Sequence, residues 1–141
     1  MRLLKTSEYA IRVLSHMARN EAERYSVSSL HRALGIPYKY LGRLMRKLTK
    51  AGLVDAARGK TGGYVITRPP GSIHLIEIVE AVEGLEDFDH CILGFEACSS
   101  DQPCPLHDQW GVQRDSIRRM LEEASLEDLA LKFEEESEAS D

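Results

Sequence analysis

The chain has 141 residues, of which 43% are hydrophobic and 29% charged, which is ordinary for one soluble, folded domain with an appended segment. The net charge is divided, since residues 1–68 carry 14 Lys and Arg against 4 Asp and Glu, a balance of +10. Residues 69–141 carry 4 against 19, a balance of −15, so we expect a nucleic-acid-binding half joined to an acidic half. No apolar run reaches about 18 residues, and Glu8 and Arg12 interrupt any signal-peptide core, so we expect a cytoplasmic protein without a membrane span.

The first predicted helix has apolar residues at positions i, i+3, i+4, i+7 and i+8 over residues 10–18. Thr6 or Ser7 is predicted to cap its start, and Asn20 lies where the helix would end. This spacing predicts an amphipathic helix with one face on the core.

A pair of helices joined by a tight turn is predicted next. A short helix over residues 27–34, capped by Ser26 or Ser28, leads to Gly35, where such a turn favours positive φ. Pro37 suits the first turn of the second helix because its missing N–H is no loss there. The predicted buried stripe of that helix is Leu41, Leu44, Leu48 and Ala51. Gly52 is predicted to end it.

Two short strands, residues 53–57 and 64–67, are predicted to form a small wing. The segment between them is rich in glycine and carries the cations Arg58 and Lys60. A helix-turn-helix followed by such a hairpin predicts a winged helix-turn-helix.

The remaining chain is predicted to hold a loop and further helices. Ser72 can cap a helix that runs to Val82, and from Leu106 a longer helix has more apolar residues than so small a core can cover. A two-fold homodimer contact is therefore expected along it, and Ser125 is predicted to cap a last short helix. The fold class expected is mainly α, with a winged helix-turn-helix domain, a long C-terminal dimerisation helix and a small two-stranded wing. The predicted units are the winged helix-turn-helix domain over 1–83, a cysteine loop over 84–105, the dimerisation and short terminal helices over 106–133, and a disordered acidic tail over 134–141.

Several exposed residues are candidates for contact with double-stranded DNA. In a helix-turn-helix the second helix enters the major groove by its N-terminal residues. The candidates are Tyr38, Lys39, Tyr40, Arg43, Arg46 and Lys47 on that helix, with Arg58 and Lys60 on the wing. Arg43 is the first choice for reading a base, because a bidentate arginine–guanine pair is specific, whereas Lys39 is expected to contact phosphate. Arg58 suits a narrow minor groove.

Three cysteines and a histidine follow the pattern Cys91-x6-Cys98-x5-Cys104-x2-His107, and the chain has no other cysteine. Three thiolates and an imidazole suit either an iron–sulfur cluster or structural zinc. The gaps are wider than the knuckles of zinc fingers, which favours a cluster. Buried cysteines without a ligand are less favoured, because the loop lacks the apolar neighbours of a core.

At this point the chain resembles the Rrf2 family of bacterial regulators, which includes the IscR, NsrR and CymR types. The resemblance rests on TSEYAIRVLSHMA, PYKYLGRLMRKLTKAGLV, RGKTGGY and the cysteine triplet, and it covers Met1 to about Leu131. It implies a homodimeric winged-helix transcription factor with a [2Fe–2S] or [4Fe–4S] cluster beside the dimerisation helix. Loss or oxidation of the cluster, or its reaction with nitric oxide, would change affinity for promoters.

The resemblance also implies ligands. The three cysteines match the cysteine ligands of the family, and His107 matches the fourth ligand of the IscR type. Glu8 lies where the NsrR type offers an acidic ligand from the partner's first helix, so the fourth ligand stays open. The first cysteine gap is x6, where the IscR type has x5. Gly42 stands where the IscR type uses a glutamate to select DNA motifs, so motif preference does not transfer.

These features predict a homodimeric transcriptional regulator, with repression favoured, whose binding to promoter DNA responds to redox state, nitric oxide or iron–sulfur status. Two alternatives stay open: a zinc-stabilised winged-helix repressor without redox sensing, and a regulatory adaptor that binds another protein through its acidic half. We expect no enzymatic activity, because no acid–base or nucleophile arrangement stands apart from the candidate ligands.

Overall fold

The structure is a computed structural model, which describes residues 4–57, 59, 62–86, 93 and 105–130. In chain order the elements are α1 (Lys5–Ala18), α2 (Val27–Leu34), α3 (Tyr38–Lys50), β1 (Val54–Ala57), β2 (Gly63–Ile66), α4 (Leu75–Val82) and α5 (His107–Glu123). A 3-10 turn covers Pro70–Ser72, and residues 126–130 are helical. The expected mainly helical fold with a small two-stranded wing is confirmed.

The first helix lies at the centre of the core. It packs against α2, α3, α4 and β2, while α4 also packs against α3 and α5. The predicted stripe is confirmed, since Ala10, Val13, Leu14 and Met17 are all buried. The outer face of α3, which carries Lys39, Arg43 and Arg46, is left at the surface.

The third helix has the buried back that its sequence predicts, with one correction. Its buried residues are Leu41, Leu44, Met45 and Leu48. Ala51 was predicted to extend the stripe and is exposed instead, because the helix ends at Lys50 and Ala51 is its C-cap. Gly52 has φ +78°, as expected of the residue that turns the chain away from a helix end.

The predicted caps of α1 are wrong. Its N-cap is Leu4, which has no side-chain cap, and Thr6 and Ser7 lie inside the helix. Their hydroxyl groups bond to other elements, Thr6 to Tyr40 of α3 and Ser7 to the carboxylate of Glu83. A hydroxyl with a tertiary partner is not available to cap its own helix.

The predicted cap of α4 is also wrong. Ser72 lies in the 3-10 turn and donates to the carbonyl of Pro69 at 2.7 Å. The N-cap is His74, which forms a reciprocal capping box with Glu77. The turn places the helix start two residues later than the hydroxyl alone suggested.

Two other predicted caps are confirmed. The Ser26 hydroxyl accepts from the Ser29 N–H at 3.0 Å at the start of α2. Ser125 and Asp128 exchange hydrogen bonds at the start of the helical residues 126–130. The bonds from the Ser125 N–H and hydroxyl hold the pKa of the Asp128 carboxyl group below its usual value. Both caps use partners three residues away, which is why local sequence identifies them.

The two strands pair antiparallel, within one residue of the predicted ends, and Ala57 faces Gly63 at the wing tip. Tyr25 extends this ladder by a bridge to Tyr64, with N–H···O distances of 2.9 and 2.8 Å. Gly63 has φ +136°, and a Cβ there would meet the Tyr25 carbonyl oxygen at 3.0 Å, so this close approach requires glycine.

The C-terminal part of the chain is bonded to α4. Leu75 donates its N–H to Ala124 at 3.0 Å, and Leu126 donates to Ile73 at 2.8 Å. The end of α5 is therefore fixed beside the start of α4. The three cysteines and the predicted acidic tail over 134–141 lie outside the described residues. Among the helices of the described ranges, none is long and apolar enough to cross a membrane.

Candidate functional site

The turn between α2 and α3 is fixed by local bonds. Gly35 has φ +68° and donates its N–H to His31 at 2.9 Å, which ends α2. The ring Nδ1–H of His31 then donates to the carbonyl of Ile36 at 2.6 Å, and Ile36 itself is buried. These contacts set the angle between the two helices, as a helix-turn-helix requires.

The outer face of α3 carries cations and no acidic residue. Lys39, Arg43 and Arg46 are exposed and follow one another at i, i+4 and i+7, which places them on one side of the helix. Tyr38 begins the helix with 55% of its surface exposed. Four of the candidate DNA contacts are thus brought together at the surface, above a buried apolar back.

Tyr40, another candidate for DNA contact, is half-buried and contacts α1. Its hydroxyl shares a hydrogen bond of 2.6 Å with that of Thr6. Its ring meets the ring of Tyr9 edge-on, with centroids 5.1 Å apart. The structure therefore ties the first turn of α3 to the first turns of α1.

Lys47 contacts α4. Its ammonium group donates to the carbonyl of Val82 at 3.3 Å, at the C-terminal end of that helix. A cation is favourable beside a helix C-terminus, where the unpaired carbonyl groups carry partial negative charge. Lys47 is exposed, so this bond lies at the edge of the cationic face.

The wing tip is described only in part. The N–H of Gly62 donates to the carbonyl of Gly59 at 3.0 Å, which closes the turn, and Gly59 has φ +106°. Arg58 and Lys60 lie outside the described residues. Glycines with positive φ shape this turn.

The candidate metal ligands are described in part. Glu8 lies in the first turn of α1, 31% exposed, with the Lys5 ammonium 3.3 Å from its carboxylate. His107 is the first residue of α5 and is half-buried. Within the described ranges, no three His, Cys, Asp or Glu residues lie together as a metal site would need. The donor set of the whole sequence, three thiolates with an imidazole or carboxylate, fits an iron–sulfur cluster or zinc.

Two apolar side chains of α5 are exposed among the residues that the structure describes. Trp110 and Leu121 are buried, but 67% of Val112 and 59% of Met120 are exposed. A shallow cavity of about 460 Å³ lies beside Met120. Its lining is Ser116, Arg119, Met120, Glu123 and Ala124. Large exposed apolar side chains near one another on a helix can mark a protein interface.

Sequence reasoning missed the contacts of Glu83. Its carboxylate accepts hydrogen bonds from the Leu4 N–H at 3.2 Å and from the Ser7 hydroxyl. These partners are 79 and 76 residues away, so no local pattern announces them. Nor did the sequence signal a missing cap, because Thr6 and Ser7 offered plausible local ones.

Comparisons with known proteins agree with this arrangement. The profile of the Rrf2 family, described as an iron-dependent transcriptional regulator, matches residues 3–132. The regulator IscR of Xenorhabdus nematophila is 32% identical over 130 residues, which cover 92% of this chain and 79% of that protein. Protein aau3 of Rhizobium meliloti is 36% identical over 86% of this chain and 75% of its own length.

Two solved structures are also similar. CymR of B. subtilis, described as a global cysteine regulator, has a TM-score of 0.78 and 26% identity, covering 94% of this chain and 98% of its own. The T. potens IscR structure has a TM-score of 0.74 and 27% identity, covering 97% and 90%. The matched family and these named regulators act in transcriptional control rather than in catalysis.

Proposed function

Because the chain belongs to the Rrf2 family of transcriptional regulators, we propose that it is a homodimeric repressor whose promoter binding is controlled by an iron–sulfur cluster. One observation carries the proposal. The second helix of the helix-turn-helix, α3, has an exposed cationic face, and the same chain holds three cysteines and a histidine within seventeen residues.

The DNA contact follows from the outer face of α3. Lys39, Arg43 and Arg46 enter the major groove with Tyr38, and the wing cations contact the adjacent backbone or minor groove. Arg43 reads a base, since a bidentate contact to guanine discriminates by about 1–3 kcal/mol. The acidic second half of the chain is held away from the phosphates by like charge.

The homodimer is inferred from the exposed apolar side chains of α5. Val112 and Met120 become buried when a second copy packs on this helix, which removes apolar surface from water. A two-fold axis there relates the two copies of α3. Their separation must match half-sites about one DNA turn apart, 34–36 Å.

The cluster ligands are inferred from the thiolate, imidazole and carboxylate side chains that the sequence offers. Cys91, Cys98 and Cys104 hold the cluster, with His107 or Glu8 as the fourth ligand. A bound cluster supplies a centre that responds to oxidation, nitric oxide and iron loss. Because His107 begins α5, ordering of the cysteine loop is transmitted directly to the helix that pairs the two subunits. A coupling of about 1–3 kcal/mol between ligand binding and DNA binding gives a 5–150-fold switch.

The test is anaerobic purification, followed by visible absorption, Mössbauer spectroscopy and determination of iron and sulfide. DNA binding is measured by fluorescence anisotropy on duplexes selected by this protein from a random-sequence pool. Cys98→Ala is expected to abolish the visible absorption and to change the affinity for the selected duplex. Ser99→Ala, at the adjacent position, is the matched control and keeps both properties.

Other results would favour the alternatives. A colourless protein that contains zinc and binds DNA is a zinc-stabilised repressor without redox sensing. A protein without salt-dependent binding to any duplex is an adaptor. Unchanged colour and unchanged DNA binding in Cys98→Ala would reject control by the cysteine loop.

A further inference from the structure

The N-terminus of α1 is capped by a residue from the other end of the domain. Leu4, the N-cap, offers no side-chain cap, and the Glu83 carboxylate accepts from its N–H at 3.2 Å and from the Ser7 hydroxyl. A helix N-terminus carries partial positive charge from unpaired N–H groups, so a carboxylate there is stabilising. Glu83 performs the capping that the sequence before α1 does not supply.

Glu83 also stands where the chain leaves α4 for the cysteine segment. It is the C-cap of that helix, and Gly84 turns the chain with φ +80°. A φ of +80° is favourable for glycine and strained for residues with a Cβ, so the turn favours glycine at this position. Cys91 follows Glu83 by eight positions. Glu83 therefore lies at the junction between α4 and the part of the sequence that carries the cysteines.

The start of α1 also contacts the N-terminal turn of α3, which carries candidate DNA contacts. Thr6 and Tyr40 share a hydrogen bond of 2.6 Å, and Tyr9 packs edge-on against Tyr40. Tyr40 directly follows Lys39 and precedes Arg43 by less than one helical turn. The segment that Glu83 caps is thus the segment that holds the DNA-reading residues in place.

A second bond joins the same two regions. Lys47 of α3 donates to the Val82 carbonyl at 3.3 Å, one residue before Glu83. Both the first and the later turns of α3 are therefore linked to the end of α4, the first through α1 and the later one directly.

We infer that Glu83 is a positioning residue that couples the cysteine segment to the recognition helix α3. When the chain beyond Gly84 changes course, the carboxylate leaves the start of α1, the first turn of α1 loosens, and Tyr40 loses its partner. Glu83 contacts neither DNA nor the cysteine ligands in this scheme. The inference rests on the proposed control by the cysteine loop.

The first experiment uses full-length protein without iron, so that no cluster is needed. Amide hydrogen exchange is compared in Glu83→Ala and in Glu80→Ala, which removes an exposed carboxylate one turn earlier on α4. In Glu83→Ala we expect about fivefold faster exchange over residues 4–9 and 38–41, the effect of losing one helix cap. Glu80→Ala is expected to leave both segments unchanged. Unchanged exchange over residues 38–41 in Glu83→Ala overturns the inference.

The second experiment measures DNA affinity with and without the cluster on the duplex selected by the wild-type protein, and expresses the result as the ratio of the tighter to the weaker affinity. This ratio is expected to fall at least about threefold in Glu83→Ala, with visible spectrum and iron content retained. Thr6→Val, which removes only the hydroxyl that meets Tyr40, is expected to lower it likewise. A wild-type ratio above one that both variants keep overturns the inference alone. A wild-type ratio of one overturns the proposed function, and the coupling with it.

Discussion

Arg68, just after the second wing strand, is held by Glu77 of α4 through an ion pair of 2.7 Å. The guanidinium also donates to the Ser72 carbonyl at 3.2 Å. This cation belongs to the basic half of the sequence, yet the structure uses it to fix the end of the wing to α4. A count of positive charges therefore overstates the cations available to DNA.

The Arg68–Glu77 contact predicts a pH dependence of stability. Burial acts to raise the pKa of Glu77, but hydrogen bonds from the His74 N–H and from Arg68 outweigh it and lower the pKa below its usual value of 4.5. A lowered folded-state pKa stabilises the fold above the unfolded value, and this stabilisation is lost as pH falls through the folded value. Urea unfolding of Glu77→Gln and wild type should therefore differ more at about pH 7 than at about pH 3. Equal differences at the two pH values would contradict this, and Glu80→Gln serves as the exposed control.

Gly42 predicts a stabilising substitution. It lies inside α3, and a Cβ added there meets nothing within 4 Å. Gly42→Ala should raise the free energy of unfolding by about 0.5–1 kcal/mol, because glycine loses more backbone entropy in a helix. Gly52→Ala is the matched contrast, since φ +78° is unfavourable for alanine and should make that variant less stable than wild type. Urea titration measures both, and a destabilised Gly42→Ala would refute the first expectation.

Lys47 is expected to affect stability as well as DNA binding. Lys47→Met removes the bond to Val82 while it keeps most of the aliphatic chain, and should lower the free energy of unfolding by about 0.5–1.5 kcal/mol. Its effect on the salt dependence of DNA binding should be smaller than that of Lys39→Met, because the ammonium has an intramolecular partner. Lys39 is exposed on the outer face of α3. Equal changes of salt slope in the two variants would mean that DNA displaces the bond to Val82.

Substitutions of Arg43 and of Lys39 should affect DNA binding in different ways. Arg43→Ala is expected to cost about 1–3 kcal/mol of binding on the selected duplex and to relax preference at one base pair. Lys39→Ala should weaken all duplexes alike and reduce the slope of log K against log salt by about 0.9. Arg118→Ala, on α5 and paired with Glu122, is the control for loss of one positive charge. A uniform loss in Arg43→Ala would place that residue on phosphate.

Local patterns in this sequence predicted several features whose partners are near in the chain, although they missed the capping box of His74 and Glu77. Gly35 and Ser26 were correctly assigned because a turn and a cap need partners only a few residues away. Thr6 and Ser7 have the right chemistry for a cap and the wrong role, since their partners, Tyr40 and Glu83, come from other elements. Residue type alone cannot distinguish a local hydrogen bond from a tertiary one.

In the candidate site, too, local patterns predicted which residues are exposed but not which residues contact other elements. Helical spacing was enough to place Lys39, Arg43 and Arg46 on one exposed face, because a single helix determines which of its sides is buried. The partners of Tyr40 and Lys47 depend on where α1 and α4 lie relative to α3, which periodicity does not encode. The proposed ligand roles of the cysteines, His107 and Glu8 remain predictions for spectroscopy to decide.

The bond from Ser7 to Glu83 spans 76 residues, so the order of synthesis matters for folding. The ribosome makes α1 before α4, and the residue that caps the N-terminus of α1 comes after the helix-turn-helix, the wing and α4. Joining the two ends closes a long loop, which is slow compared with forming the local turns. The start of α1 therefore has no capping carboxylate until position 83 has been translated, and any product that stops before that position lacks it altogether.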